Sequence, residues 1–413
     1  MPEAVVAVDI GSSSLKAAVI AVTGQVLARS RQPFQLRSDG RAAGEWMDCL
    51  RKAMADLAAQ QPAVTLQALC ISGNGPTLVG EGGETLLWNA AAAAVPAALL
   101  SQAETDSLFI PRIREFKYRY PESWSKSRFV YSGPEYLIWQ LTGESLSILP
   151  EARYGRAYWS NEALQAAGFT DAESQKLPPF VSPGTQAGCL LEDLTPLVKK
   201  GLPVYCGAPD FVSALVGTNS LTPGSLCDRA GSSEGLNFCS DTPLTGDGIR
   251  TLPSIVPGLW NASFLLPESG SRFSAFKVRV EQEYGSPMDF DRLVYFCIHN
   301  PTQAPIFDQG KYLMLQTAMQ VRDSLKLLLA CAADKMQKIP DRMTVTGGQA
   351  ANDGWNQMKA NVTGLTVLVP ECSDAELLGD AIFAFTGMGL FPSVQEGAKS
   401  LYTIAKSFEP EEF

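Results

Sequence analysis

The chain opens on an apolar run, Val5-Val6-Ala7-Val8-Asp9-Ile10, rich in β-branched residues and bounded by a turn. That pattern predicts a buried strand. Gly11-Ser12-Ser13-Ser14 predicts the turn, residues 15–22 a second strand, and Thr23-Gly24-Gln25 a turn into a third. Three strands in succession make an antiparallel meander, not the strand-to-helix unit of a dinucleotide fold. A helix is expected near residues 46–59 and a strand over 66–72, ending in Gly73-Asn74-Gly75-Pro76. Residues 90–150 read as mainly helical. Within them, residues 90–100 are apolar, Ala-rich and too short to cross a membrane. Residues 134–142 have helical apolar spacing and a terminating glycine, Gly143.

The second half repeats some of this. A strand at 203–206 leads through Gly207-Ala208-Pro209-Asp210 into a helix containing Ala214 and Val216. Residues 224–235 hold a second strand–Gly-Ser-Ser–strand unit, about 220 residues after the first. A long helix is expected around 312–332, then a strand at Met343-Thr344-Val345 running into Thr346-Gly347-Gly348. Asn352 and Asp353 can cap a helix through Trp355 and Met358. A last helix, 375–386, ends at Gly387. The similarity of Asp-Ile-Gly-Ser-Ser to Ala-Gly-Ser-Ser suggests two related half-chains. A boundary near residue 220 gives domains 1–220 and 221–413.

Composition narrows the function. A length of 413 residues suggests two domains, and 46 % apolar residues can bury a sizeable core. The net charge of −10 makes the chain a poor partner for nucleic acid or an anionic membrane. Phosphate binding is unaffected, since it needs local backbone donors rather than net positive charge. The nine cysteines form no CxxC pair and no metal-ligand cluster, and the start lacks a signal-peptide pattern. Reduced thiols in a cytoplasmic protein are the simplest reading. There is a single histidine, His299, in a setting that reads as a strand end or turn, so a catalytic base is expected to be a carboxylate.

Three glycine-rich segments and two aspartates carry the candidate chemistry. Gly11, Ser12 and Ser13, with Lys16 close behind, can offer donors to phosphate oxygens. Asp9 at the strand end is then placed for a divalent metal. Gly231, Ser232 and Ser233 repeat that chemistry in the other half. Gly347, Gly348, Gln349 and Asn352 follow a strand and open a helix, where small residues permit close approach to a base or ribose. Each segment taken alone is equally an ordinary polar turn. Asp210, at a strand–helix junction, is either an N-cap or a general base taking the proton of an attacking hydroxyl.

The ordered motifs DIGSSSLKA, ISGNGPTLV, LTGE, GAPD, AGSSEGL, TGGQAANDGWNQMKANVTG and DAELLGDAIFA resemble those of the FGGY carbohydrate kinases, in particular the xylulokinases. The match runs from Val5 to about Phe391 and is weak over 240–310. The resemblance implies an α/β fold of two ribonuclease-H-like domains of the actin/hexokinase type flanking a nucleotide cleft. The first domain would carry the sugar, the second the nucleotide. It implies ATP and Mg²⁺ as cofactors, Asp9 and Asp210 at the metal, both Gly-Ser-Ser turns on the phosphates, and Asp210 as catalytic base. It implies a small sugar or polyol partner, with a homodimer as one available assembly.

The chain also departs from the family. It is shorter, Pro76 stands where xylulokinases carry a His, and Trp88-Asn89-Ala90-Ala91-Ala92 replaces a WNDGR segment. Candidate substitutes for the missing sugar ligands are Asn74, Glu45, Trp46, Trp88, Asn89 and Glu151, with Trp46 and Trp88 as stacking faces. The competing reading is a nucleotide-binding regulatory protein, or pseudokinase, that has lost sugar phosphorylation.

Overall fold

The computed structural model describes residues 1–35, 40–91, 106–333 and 340–411. The chain forms two compact units, Met1–Gly217 with Glu376–Leu401, and Thr218–Ala375 with Tyr402–Phe413. The first crossing lies beside the expected boundary near residue 220. A single cut there, however, leaves Glu376–Leu401 with the wrong partner, because this segment returns to the first unit.

The first unit is built on six strands: β1 (Glu3–Ile10), β2 (Ser14–Ala21), β3 (Val26–Pro33), β4 (Thr65–Gly73), β5 (Gln186–Cys189) and β6 (Pro203–Pro209). Their order is β5-β6-β4-β1-β2-β3. β1, β4 and β6 run parallel, while β2 and β3 form the expected meander and β5 is an antiparallel edge. β1 is buried at every position after Glu3, as a central strand covered on both faces must be, which explains its unbroken apolar run. Helix α1 (Trp46–Ala59) packs on β2 and β3, burying Trp46, Leu50, Ala53, Met54 and Leu57 at helical spacing. Helices α2 (Ile110–Arg119), α3 (Gly133–Thr142) and α4 (Asp210–Gly217) follow. α3 ends on Gly143 at φ 79°, as its sequence predicts.

Among the described residues the second unit has seven strands: β7 (Leu226–Ala230), β8 (Glu234–Ser240), β9 (Ile249–Pro253), β10 (Trp260–Leu266), β11 (Arg342–Thr346), β12 (Thr366–Pro370) and β13 (Ile404–Phe408). They are ordered β9-β10-β8-β7-β11-β12-β13. Without β5, β9 and β13, the first sheet reads β3-β2-β1-β4-β6 and the second β10-β8-β7-β11-β12. Each begins with an antiparallel meander, and each then adds two strands parallel to its first. This ribonuclease-H-like arrangement occurs once per unit, so the faint repeat in the sequence is a repeat of topology. Helices α5 (Ser269–Tyr284), α6 (Phe290–His299), α7 (Pro305–Ala332) and α8 (Asp353–Thr363) complete the unit. Helices α9 (Ala375–Gly387) and α10 (Val394–Leu401) then lead back through the first.

Several expectations need correction. α7 starts at Pro305, seven residues early, because proline is tolerated in a first helical turn and Ile306 and Phe307 are buried there. The helix ending at Gly387 is not the last element, since α10 and β13 follow. His299 is the final residue of α6, closed by Asn300 at φ 41°, and not a strand end or turn. Of the stretch 90–150, residues 92–105 lie outside the described residues, including most of the Ala-rich 90–100 segment. The remainder includes α2, α3 and a short helix, Pro121–Lys126. No helix among the described residues is long and apolar enough to cross a membrane.

Candidate phosphoryl-transfer site

Parallel strands align their C-terminal ends, and in the first unit those ends carry the expected chemistry. The register sets Asp9 opposite Ser72, and Pro209 opposite Gly73. The Asp9–Ser14 turn, the Gly73–Pro76 loop and Asp210 therefore lie along one sheet edge. The turn is closed by the Gly11 N–H donating to Ser14 O at 3.0 Å, and leaves the Ser12 side chain exposed. Asp9 is 2 % exposed, and Lys16 Nζ stands 3.8 Å from its Oδ2 and 3.6 Å from Glu376 Oε2 on α9. Asp210 is half-buried as the first residue of α4, its Oδ1 accepting the Phe211 N–H at 2.6 Å.

Behind this edge lies Asp380, which is fully buried on α9. Its carboxylate accepts from the Ser72 hydroxyl on β4 at 2.7 Å and the Ser213 hydroxyl on α4 at 2.8 Å. Burial, helped by Asp9 and Glu376, pushes the carboxyl well above the usual range despite those two hydroxyls. Asp380 thus fastens β4, whose Ser72 lies opposite Asp9, to the helix that begins at Asp210. Its signal in the sequence was a polar residue on a helix face shared with Leu377, Phe383 and Ala384, which periodicity alone reads as core.

The sugar-side candidates are unequal. The Asn74 amide donates to Ile10 O at 3.0 Å and accepts from the Thr77 hydroxyl at 2.6 Å, so it fastens its own loop. The half-buried Trp88 donates its indole N–H to the Ser12 hydroxyl at 2.9 Å, tying its segment to the Gly11–Ser13 turn. Asn89 is exposed, Glu45 accepts the Gln35 N–H at 3.2 Å, and Glu151 accepts from Arg153 Nε at 2.9 Å. Trp46 is corrected outright. It is 1 % exposed and packs edge-on against Tyr136 at 6.4 Å, so no sugar can reach its face. Beside the loop, Gly73, Pro76, Pro209 and Phe211 border a narrow cavity of about 30 Å³ that sequence reasoning did not reveal.

In the second unit the equivalent turn recurs. The Gly231 N–H donates to Ser233 O at 2.9 Å, and the first turn of α5 braces it through the Ser271 N–H to Ser232 O at 2.9 Å. A Cβ on Gly270 would overlap Gly231 O, so only glycine permits this approach. Gly347, at φ 88°, lies against the same turn; a Cβ there would meet Ala230 O at 2.8 Å. Gly348 is exposed next to it. Both polar atoms of the Gln349 amide are buried without a hydrogen-bond partner. Asn352 caps α8 by accepting the Trp355 N–H at 3.0 Å and donates to Asp291 Oδ1 at 2.7 Å. It borders a cavity of about 350 Å³ lined also by Tyr295, His299, Asp353 and Lys406.

One cluster in this unit had no counterpart in the sequence reading. Lys359 on α8 is fully buried, with Nζ 2.6 Å from Asp228 Oδ2 and 2.5 Å from Glu234 Oε1, both also fully buried. Glu234 directly follows the Gly231–Ser233 turn. Burial, followed by the Glu234 charge, pushes Asp228 well above the usual carboxylate range against the pull of Lys359.

The comparisons agree with this architecture. Residues 313–388 match the FGGY family of carbohydrate kinases, C-terminal domain. An autoinducer-2 kinase of Salmonella typhimurium (strain LT2) is 21 % identical over 486 aligned positions, covering 98 % of this chain and 90 % of that protein. The crystal structure of xylulose kinase from Rhodospirillum rubrum superposes with a TM-score of 0.73 at 16 % identity, covering 99 % of this chain and 94 % of the other. Plasmodium falciparum glycerol kinase with ADP superposes at 0.77 with 12 % identity and the same coverage of 99 % and 94 %. Residues 313–388 thus match the C-terminal domain of the FGGY family of carbohydrate kinases, and the chain as a whole, with its two equivalent ribonuclease-H-like sheets, has the fold of such kinases.

Proposed function

We propose that this chain transfers the γ-phosphoryl group of ATP to a hydroxyl of a small sugar or polyol, with Asp210 as general base. One observation carries the reading: equivalent sheets present equivalent Gly-Ser-Ser turns, and the first sets the carboxylate of Asp210 at the same edge as its turn and Asp9. The turn amides and the hydroxyls of Ser12, Ser13, Ser232 and Ser233 hold phosphate oxygens, and Lys16 adds positive charge. Gly347, Gly348, Gln349 and the cavity beside Asn352 take the nucleoside. The buried, unpartnered amide of Gln349 fits such a role, because buried polar atoms require hydrogen bonds.

The donor set also fits Mg²⁺. Among the described residues no group of three or more His, Cys, Asp or Glu side chains is placed to hold a metal. Mg²⁺ in phosphoryl-transfer sites takes one or two carboxylates and fills its shell with phosphate and water, a need that Asp9 and Asp210 meet. Bound there, the ion neutralises charge developing on the phosphate oxygens. Asp210 orients the acceptor hydroxyl and takes its proton as that oxygen attacks phosphorus. The nine cysteines are free thiols, which supports a reducing, cytoplasmic setting.

A second reading, a nucleotide-binding regulatory protein without transfer, draws on the Asn74 amide being committed to Ile10 and Thr77. A coupled ADP-release assay with Mg-ATP across ketoses, aldoses and polyols separates the two. Transfer predicts at least one acceptor that raises ADP release above the basal rate. Asp210→Asn then lowers kcat roughly 10²- to 10⁴-fold while ATP affinity by calorimetry is kept. ATP binding with no stimulating acceptor favours the regulatory reading, and loss of both activities in Asp210→Asn makes that residue structural.

A further inference from the structure

The cavity beside Asp210 has walls unlike those expected for a fully hydroxylated ligand. It lies between the Gly73–Pro76 loop and the residues flanking Asp210, and it is narrow, at about 30 Å³. Among the described residues its side walls are Leu108, Phe109, Ile148 and Phe211. Phe109 is held rigid by Tyr158 at 4.4 Å and Trp159 at 5.3 Å between ring centroids. Pro76, on the loop side, brings no donor.

Ser132 and Tyr158 bring hydroxyls to the cavity lining, and a carboxyl comes from Glu135, on the first turn of α3 and 3 % exposed. Its Oε1 accepts the Ile148 N–H at 2.8 Å, while Oε2 is buried without a hydrogen-bond partner. Burial raises its pKa, and the Ile148 amide and the Ser132 side chain only partly offset this. An unpartnered buried carboxyl oxygen on a residue that lines a cavity calls for a ligand group that can hydrogen-bond it. Against the wall of Leu108, Phe109, Ile148 and Phe211, a further hydroxyl would be stripped of water and left unpaired.

Resting on the kinase reading above, we propose that the acceptor is a short deoxy polyol or deoxy sugar. A methyl or methylene segment lies against Leu108, Phe109 and Ile148, one hydroxyl bonds Glu135, and another hydroxyl is presented to Asp210. A hydrophobic pocket that faces an added hydroxyl discriminates by up to roughly 10²-fold.

Two matched pairs test this: 1-deoxy-D-xylulose against D-xylulose, and propane-1,2-diol against glycerol. Each is measured twice, by calorimetric binding without nucleotide and by ADP release with Mg-ATP. The expected result is a preference of at least tenfold for the deoxy member of one pair or both, in binding and in kcat/KM. Leu108→Ser, at a half-exposed wall position, should bring that ratio toward one. Glu135→Met should weaken binding of the preferred member at least tenfold, and Glu135→Gln, which can still hydrogen-bond, should restore most of it.

Preference for the hydroxylated members, or binding of neither member of either pair, overturns the inference. So does an unchanged ratio in a folded Leu108→Ser protein, even if Glu135→Met fails to fold. Selective binding of a deoxy member with no ADP release sinks the kinase reading and leaves the pocket assignment standing. Turnover that favours hydroxylated acceptors does the reverse.

Discussion

Removing the Lys359 ammonium should be among the most damaging single changes in the second unit. Lys359, Asp228 and Glu234 share a volume with no solvent exposure, two carboxylates around one cation. Lys359→Met keeps much of the side-chain volume but leaves both carboxyls without a counter-charge. Breaking a buried ion pair from one side costs about 3–5 kcal/mol. At about 1.4 kcal/mol per tenfold, that equals roughly a 10²- to 10⁴-fold rise in the opening constant of β7 and β8. Native-state hydrogen exchange of the amides in those strands reads this directly, without assuming that the two units unfold together.

The pH dependence has a definite sign. The folded-state pKa of Asp228 is raised, so protonation favours the native state. Without Lys359 to hold it down it rises further, so the deficit of the variant should shrink as pH falls from 8 toward 5. The wild-type contribution of Lys359, whose own pKa is raised once the pull of the two carboxylates exceeds the burial penalty, is lost only as pH rises above about 10.5. Replacing all three with apolar residues (Lys359→Met, Asp228→Leu, Glu234→Met) should recover most of the loss, since a packed apolar cluster often matches a buried ion network. A Lys359→Met deficit below about 1 kcal/mol, or one that grows on acidification, would refute this account.

Other sites give narrower expectations. Gly270→Ala, whose Cβ would collide with Gly231 O, should destabilise by about 1–3 kcal/mol and raise KM for ATP more than it lowers kcat; an unchanged KM removes the 231–233 turn from nucleotide binding. Glu173 is held down to about 2 by Lys117 and the Thr170 amide, as part of a capping box. Because its folded pKa is depressed, its contribution is present above the ordinary carboxylate pKa and disappears as pH falls toward 2. Glu173→Gln should flatten that acid limb in a thermal-melt series. Cys189 is the exposed one of nine free thiols, and burial pushes Cys227, Cys239 and Cys297 up to about 12. A native thiol titration should therefore show one fast group that disappears in Cys189→Ser, and several fast groups would contradict the packing.

Local chemistry determined much of this protein. The unbroken apolar run of β1, the helical spacing of α1 and the glycine that ends α3 each reflect constraints set within a few residues. The two Gly-Ser-Ser turns were visible for the same reason, and so was Asn352 as a cap. Tertiary structure alone decided which distant groups meet. The alignment of Asp9, Gly73 and Asp210 follows from strand order, which no local pattern encodes. Asp380 and Lys359 looked like misplaced polar residues on buried helix faces until partners 308 and 131 residues away came within hydrogen-bond reach. The return of Glu376–Leu401 to the first unit, the burial of Trp46 and the lone carboxyl of Glu135 in an apolar cavity are of the same kind. Sequence patterns report the forces between near neighbours along the chain, whereas burial and charge pairing depend on neighbours in space.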